Sequence, residues 1–450
     1  MKKTEKKGSH LAIKMAIAMV LGLICGFAML MLRENLLTSG QAQTWATINN
    51  LFFQDITAEA GRNAVGLFYI LGQLFVNTLQ VIIVPMIFCS ITLAICQITD
   101  TRKLGRISSK TLGTFFLTSA VALVIAGFVG MAVYKSGAFS TVDVSGLNAA
   151  TGSNGSNPLG IIVNIIPNNI IAAFSSNGRV LSVVFLAVCV GLGINALGEK
   201  VTVLKKLLEE ISDIITVCLT FVINKFGPAA IFVLLTRTFA IYGVDHLKPA
   251  LAYVVTTVLL LLVFLVVGYA LVILLLARQN PIPFMKKMAK VAVFGFSTSS
   301  SAATLPLNRK TVTEELGVSD EIASFALPLG MTVNMDGTAI MQVIAAIFIA
   351  ASAGYSVDAA SIGIIAVLAL IASIGTPAAP GAGAVILFTI LTGMGYTNDA
   401  ALLAYSLILA INRPIEMLVT SLNVVGDSAA AVVVAKSEKM LDEKQYNAEI

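Results

Sequence analysis

The chain has 450 residues, of which 57% are apolar and 12% charged, with a net charge of +5 and a mean hydropathy of +0.91. Soluble globular proteins carry about 45–50% apolar and about 25% charged residues, so a soluble enzyme and a disordered protein are excluded. A nucleic-acid binder is excluded too, because the small positive excess is spread along the flanks of apolar runs. Two histidines, His10 and His246, stand far apart and argue against a His dyad or a multi-histidine metal site. The five cysteines (Cys25, Cys89, Cys96, Cys189, Cys218) sit in apolar runs without a CxxC pair, and read as small buried hydrophobes rather than a disulfide or zinc framework. What remains is a polytopic membrane protein.

A membrane helix needs about 20 apolar residues. The first run, 11–32, follows a basic start; it is too long for a signal-peptide core and has no A-x-A-like site after it, so it reads as a retained helix. Further runs lie at 64–97, 109–134, 160–198, 211–236 and 249–277, the one at 160–198 being broken at Pro167–Asn169 and again at 175–179. Basic residues cluster at the N-terminus and in the loops 99–110, 199–210 and 278–290, whereas 136–159 has none. By the bias of Lys and Arg toward cytoplasmic loops, the N-terminus is expected in the cytoplasm and the Gly/Ser/Asn-rich 136–159 loop outside.

After Lys290 the apolar segments are interrupted. Segment 291–308 carries a serine cluster, and segment 361–395 carries SIGTPAAPGAGA at 373–384. Irregular backbone facing lipid leaves N–H and C=O groups unsatisfied, so each segment predicts a re-entrant hairpin buried in protein or lining a wet cavity. Basic flanks (Lys290, Arg309, Lys310) send the first in from the cytoplasmic side; the second, with no basic flank, enters from outside. Each is followed by an apolar stretch with an Asn and an Asp: Asn334–Thr338 after the first, Asn423–Asp427 after the second. Two such units of opposite direction form an inverted repeat, the mark of secondary transporters with a site near the bilayer midplane. Gly/Ser-rich helix packing is the plainer alternative for either segment alone.

Within 322–435 the ionisable residues expected at membrane depth are Asp336, Arg413, Glu416 and Asp427, and an intramembrane charge is a functional hypothesis by default. At about 100° per residue, Glu416, Thr420, Asn423 and Asp427 fall at roughly 0°, 40°, −20° and 20°, a single polar stripe on an apolar helix. Carboxylates, amides, hydroxyls and free carbonyls suit a hard cation. Asn334–Thr338 is expected to unwind and offer carbonyls. Arg413 and Glu416, at i and i+3, can also form a structural ion pair. Thr118 and Ser119 in TFFLTSA are a weak signal alone, since such hydroxyls bond back to their own helix.

SSSAATLP at 299–306, NMDGT at 334–338, SIGTPAAPGAGA at 373–384 and NVVGD at 423–427, followed by VVVAK, occur here in this order. With these motifs the chain resembles the dicarboxylate/amino acid:cation symporters, the glutamate and aspartate transporter family, over nearly its whole length. The resemblance implies an all-α polytopic membrane protein with eight transmembrane helices and two oppositely oriented re-entrant hairpins, assembled as a homotrimer in the plasma membrane with both termini cytoplasmic. It implies a cytoplasmic N-terminus (1–10), scaffold segments at 11–62 and 63–108, a third helix in the transport domain (109–135) and an extracellular loop (136–159). The fourth to sixth helices follow (160–287: two scaffold, one transport), then the transport core (288–436) and a cytoplasmic tail (437–450).

The resemblance also implies sodium as the coupling ion at three sites. The first is made by Gly330, Asn334, Asn423 and Asp427; the second by Thr332, Ser373, Ile374 and Thr376; the third by Phe115, Thr118, Ser119, Asn334 and Asp336. Substrate contacts implied are Ser300, Ser301, Thr338, Ala379, Gly383, Glu416, Thr420 and Asn423, with Val419 facing the substrate side chain. Members that take acidic substrates carry an arginine in place of Val419, and some carry one in place of Ser299; both are missing here. Where the ammonium-binding position is usually Asp, this chain has Glu416. The expectation is therefore a sodium-coupled symporter for a small neutral amino acid. Its alternatives are an acidic amino acid or dicarboxylate as substrate, and protons as coupling ions. A channel fits poorly with two unlike, opposed hairpins, and no nucleophile–His arrangement supports an enzyme.

Overall fold

The computed structural model describes residues 2–57, 61–99, 105–139, 165–175, 179–242, 247–374, 376, 378 and 381–448. The described residues are helical, and their one β feature is an isolated bridge between Val318 and Leu441. Helices α1 (Lys2–Thr38), α2 (Ala42–Phe52), α3 (Leu67–Thr99) and α4 (Gly105–Lys135) come first. They are followed by the short α5 (Ile170–Phe174), by α6 (Val180–Leu197) and by α7 (Thr202–Tyr242). The expected outer loop 136–159 lies outside the described residues from position 140 onward.

Among the described residues seven stretches are long and apolar enough to cross a membrane, against eight expected. The difference lies at Ser182–Ile241, one apolar stretch that holds both α6 and α7. They are parted at Gly198, whose φ of 56° only glycine adopts readily, and by a single 3₁₀ turn at Gly198–Val201. Helix α8 (Leu247–Val263) continues through a π turn at Phe264–Gly268, the short α9 (Tyr269–Val272) and a second π turn at Ile273–Ala277. Cys89 and Cys96 are buried as expected and Cys25 is half-buried, but Cys189 and Cys218 are exposed on the outer apolar surface, and none of the five forms a disulfide. In a membrane protein the outer face is as apolar as the core, so an apolar run does not tell the two apart.

Both interrupted segments are helix–break–helix hairpins. The first joins α10 (Pro281–Thr298) to α11 (Ser301–Glu314) and is longer than the interrupted stretch 291–308, because α10 starts where Asn280 accepts from Ile282 N and Pro281 opens the helix. The second joins α14 (Ala359–Ile374) to α15 (Ala382–Met394). Between them, α12 (Asp320–Val333) and α13 (Asp336–Ser352) form one interrupted span. After the second come α16 (Asp399–Ile411), α17 (Arg413–Ser437) and the terminal α18 (Glu443–Asn447).

The two hairpins open to opposite ends. At the base of the first, Lys290 pairs with Glu315 and Arg309 with Asp320, next to the end of α17, where Glu438 takes both Arg106 and Lys110 of α4. The two cations hold the Glu438 carboxyl below its usual range, the hydrogen bond from Lys110 contributing most. The second hairpin opens beside the other end of α4, where Tyr134 Oη accepts from Val357 N at 3.3 Å and the rings of Tyr355 and Tyr396 pack at a tilt, 4.6 Å between centroids. The tips meet in the middle: Ser300 Oγ donates to Ala378 O at 2.9 Å.

The C-terminal strand of chain past α17 straps the first hairpin. Lys287, 3% exposed, donates to Glu315 O, Gln445 O and Tyr446 O at 2.7–2.9 Å, and Tyr446 Oη donates to Asn280 O at 2.8 Å. A buried ammonium is tolerated here because its three donors are all used. Lys287→Met leaves three carbonyls without their donor and is expected to cost about 2–3 kcal/mol or more. The checks are a lower melting temperature in detergent and faster proteolysis after Lys436.

Candidate transport site

The site is built around the gap between α12 and α13. Asn334 and Met335 leave the helix, with ψ angles of 78° and 47°. The expected unwinding of 334–338 is thus confined to two residues, and Asp336–Thr338 form the first turn of α13. Helix α17 closes the gap with side chains. Asn423 Oδ1 accepts from Gly337 N at 2.8 Å, and its Nδ2 donates to Thr338 Oγ1 at 3.2 Å. Asn334 Nδ2 donates to Asp427 Oδ1 at 3.1 Å. Gly330 is required at this crossing, since a Cβ there would stand 2.4 Å from Asp427 Oδ1.

The carboxylate of Asp336 is fully buried and held from both sides: Ser119 Oγ donates to Oδ1 at 2.5 Å and Tyr269 Oη to Oδ2 at 3.0 Å. Thr118 Oγ1 bonds Phe115 O at 3.0 Å and reaches Asn334 Oδ1 at 3.4 Å. Phe115, Thr118, Ser119, Asn334 and Asp336 therefore stand together, as do Gly330, Asn334 and Asp427. Asn423 is joined to these through Gly337 and Thr338. Thr332, Ser373, Ile374 and Thr376 are not drawn into this network: Thr332 bonds its own helix at Leu329 O, and Ser373 and Thr376 bond Leu370 O and Ala372 O. Among the described residues no three His, Cys, Asp or Glu side chains cluster. The available donors are carboxylate, amide, hydroxyl and carbonyl oxygens, which suit a hard monovalent cation rather than a transition metal.

Beside this network lies a cavity between the hairpin tips, α13 and α17. Ser301, Thr338, Gly383, Glu416, Val419, Thr420 and Asn423 line it, together with Ser299, Met335, Met341, Thr376, Ala378 and Gly381. Ser300 does not: its hydroxyl accepts from Ala303 N, capping α11, and donates to Ala378 O. Ala379 lies outside the described residues. The N-termini of α11 and α15 abut the cavity and bring partial positive charge to it. Glu416, 8% exposed, turns Oε1 to Ala384 N at 3.1 Å and Oε2 to Arg413 Nη1 at 3.7 Å. No basic side chain lines this cavity among the described residues.

Two participants had no clear signature in the sequence. Tyr269 stands in an apolar run as any core aromatic does; the two π turns that flank it are its structural mark, and such turns recur at functional sites. Ser299 reads as one serine of three, yet it alone sits at φ 49°, with its hydroxyl buried and unpartnered at the cavity wall.

Opposed hairpins meeting at a buried polar cavity beside caged carboxylates define a secondary transporter of the inverted-repeat class. The model of the sodium:dicarboxylate symporter family matches residues 11–437, and the chain belongs to that family, whose members are symporters rather than enzymes. The chain is 29% identical over 392 residues to a proton/glutamate-aspartate symporter of Escherichia coli (strain K12), covering 83% of this chain and 86% of that one. It is also 29% identical to a proton/sodium-glutamate symport protein of Bacillus caldotenax, with 84% and 90% covered. A C4-dicarboxylate transport protein of Geobacter sp. (strain M21) is 29% identical over 411 residues, with 87% and 91% covered.

Tyr269→Phe removes one of the two hydrogen bonds to the Asp336 carboxylate without changing packing. Outer groups that orient an ion's ligands typically contribute 10- to 100-fold in affinity. The expected outcome is a loss of about 10- to 100-fold in apparent affinity for the coupling cation, read from the cation dependence of uptake, with the melting temperature nearly unchanged.

Proposed function

We propose that the chain is a sodium-coupled importer of a small amino acid with a neutral side chain, working by an elevator movement of one half of the molecule past the other. The observation that carries the amino-acid reading is Glu416, a carboxylate on the cavity wall whose loose ion pair, with Arg413 at 3.7 Å, lies outside that cavity. It offers a partner to an α-ammonium, while the N-termini of α11 and α15 face the position of an α-carboxylate. A C4-dicarboxylate would meet Glu416 with like charge. A side-chain carboxylate would face Val419, and an unpaired buried carboxylate costs several kcal/mol. Sodium is supported by the oxygen-only donors around Asp336 and Asp427.

The packing supports a division into two halves. Helices α1, α3, α6 and α7 pack mainly on one another, while α4, α8, α12, α13, α17 and the hairpins form the second group. The first group is read as the scaffold of a homotrimer in the plasma membrane; the exposed apolar row Val203, Leu207, Ile214, Val217 and Phe221 on α7 supports a surface facing lipid or another subunit. The basic ends of α4, α10 and α17 support a cytoplasmic location for that side and for both termini. An acidic substrate is the second reading. It is favoured by the names of the relatives and by Arg413, which pairs loosely with Glu416 just outside this cavity.

Uptake of labelled amino acids into proteoliposomes tests the proposal. Neutral amino acids are expected to accumulate on an inward sodium gradient, aspartate and succinate to compete weakly, and Asp336→Asn or Asp427→Asn to abolish sodium-driven accumulation in a folded protein. Equal accumulation on a proton gradient in sodium-free buffer overturns the sodium assignment.

The second hairpin is proposed as the external gate, since its tip, joined to the first through Ser300 and Ala378, covers the cavity. In a background without native cysteines, oxidative cross-linking of Ser300→Cys to Ala378→Cys is expected to stop uptake, and reduction to restore it. Undiminished uptake in the cross-linked protein counts against a gate at this position.

A further inference from the structure

We propose that a second cavity, next to the first, is a subsite in which Arg413 recognises an oxygen acceptor at the far end of the substrate: a side-chain amide carbonyl or a carboxylate. The proposal rests on the reading that the main cavity holds an α-amino acid, and names which ones it favours. The two cavities adjoin at Glu416 and Gly381, which line both. Arg413 lines only the second, whose outer wall is apolar and comes from the other group of helices, with Phe75, Leu79, Ile223 and Ile231.

Arg413 is 8% exposed, and its Nε and Nη1 are buried without a hydrogen-bond partner. Its contact to Glu416, 3.7 Å from Nη1 to Oε2, is an ion pair too long for a hydrogen bond. Buried donors of native proteins are almost always paired, and leaving them unpaired is costly. Helix electrostatics do not account for the residue either: Arg413 is the first residue of α17, where the macrodipole disfavours a cation. The other polar side chain of this cavity besides Glu416 is already engaged, with Asn412 Oδ1 accepting from Tyr253 Oη at 2.6 Å and its Nδ2 turned to Met341 Sδ at 3.5 Å. What Arg413 lacks is an acceptor, and the direction from which one can arrive is the substrate cavity across Glu416.

The length of the substrate follows. With the α-ammonium at Glu416 and the α-carboxylate at the N-termini of α11 and α15, an acceptor that enters the second cavity belongs to the side chain, as in glutamine or glutamate rather than alanine or serine. The Glu416 carboxylate already offsets the charge of Arg413, which favours the neutral carbonyl over a carboxylate.

The test measures apparent Kd for alanine, serine, glutamine, glutamate and succinate by ligand-dependent thermal stabilisation of the purified full-length protein in sodium buffer. Wild type is compared with Arg413→Met and with Arg413→Lys, which keeps a cation beside Glu416 but loses the planar fork. The expected result is that glutamine binds tighter than alanine in wild type and that the ratio of their Kd values shifts by about tenfold or more in both variants, the effect of hydrogen bonds to a charged group. A shift confined to glutamate upholds the subsite and overturns the neutral side chain. Binding of succinate alone overturns the amino-acid reading, and its affinity in Arg413→Lys then decides the subsite by the same tenfold criterion. Ratios that stay within about twofold, or a parallel loss for every compound, overturn the subsite and leave Arg413 a packing residue.

Discussion

The structure depends on how the backbone is satisfied where α12 breaks. Two residues, Asn334 and Met335, leave the helix among buried side chains, where no lipid or bulk water can take an open N–H or C=O. The N–H of Asn334 still reaches Gly330 O, and the side chain of Asn423 accepts the N–H of Gly337 as a backbone carbonyl would. Asp427 accepts from the side-chain amide of Asn334 and so fixes the break against α17. The same atoms border the cavity and the caged carboxylates. On the proposed reading, folding and ion binding draw on one set of oxygens, those of the stripe Glu416–Thr420–Asn423–Asp427 and of the break it faces. Mutation of Asn423 acts on both at once, and a loss of transport there does not by itself separate them.

The hairpins solve the same problem differently. Each breaks at its tip; the first tip bonds mainly within itself, and among the described residues one bond joins it to the second tip while another joins the second hairpin to α17. Ser299 adopts a left-handed conformation that ends α10 with its N–H on Gly295 O; Ser300 then caps α11 and bonds the second tip. Gly381, at φ 85°, turns the second hairpin so that Ala384 N reaches Glu416. The cavity exists because two helix starts, those of α11 and α15, converge on one place.

Much of this was legible in the residues. Helical spacing alone placed Glu416, Thr420, Asn423 and Asp427 on one face, and serine and glycine clusters at the centres of apolar runs marked both hairpins, their opposite directions following from the flanking charges. What is not legible has physical reasons. The first hairpin extends beyond its interrupted stretch because Lys286 and Lys287, which look like loop residues, are helical; three distant carbonyls, two of them after Asp442, receive the donors of Lys287. Tyr269 cannot be told from a core aromatic until the π turns rotate it toward Asp336. The Arg413–Glu416 pairing is visible at i and i+3, but its length and the two idle donors of Arg413 are facts of packing.

The fixed charges of the site also constrain its cargo. Asp336, Glu416 and Asp427 are three carboxylates and Arg413 one guanidinium, all at least nine-tenths buried. In their charged forms they leave a net −2, and moving an unbalanced charge through the bilayer is costly. A zwitterionic amino acid adds nothing to that sum, so two monovalent cations would neutralise the loaded core, and on the proposed reading Asp336 and Asp427 are the two carboxylates that would hold them. An acidic substrate adds one more negative charge and needs a third cation. The remaining oxygens, Thr332 and the Ser373–Thr376 turn, contain no carboxylate, so a cation held there would balance charge brought by the substrate rather than by the protein. The substrate's charge and the number of ions that travel with it are thus one question, with Arg413 as the term that distinguishes this chain: lose its charge and the fixed sum becomes −3, shifting the balance toward one more cation whatever the substrate.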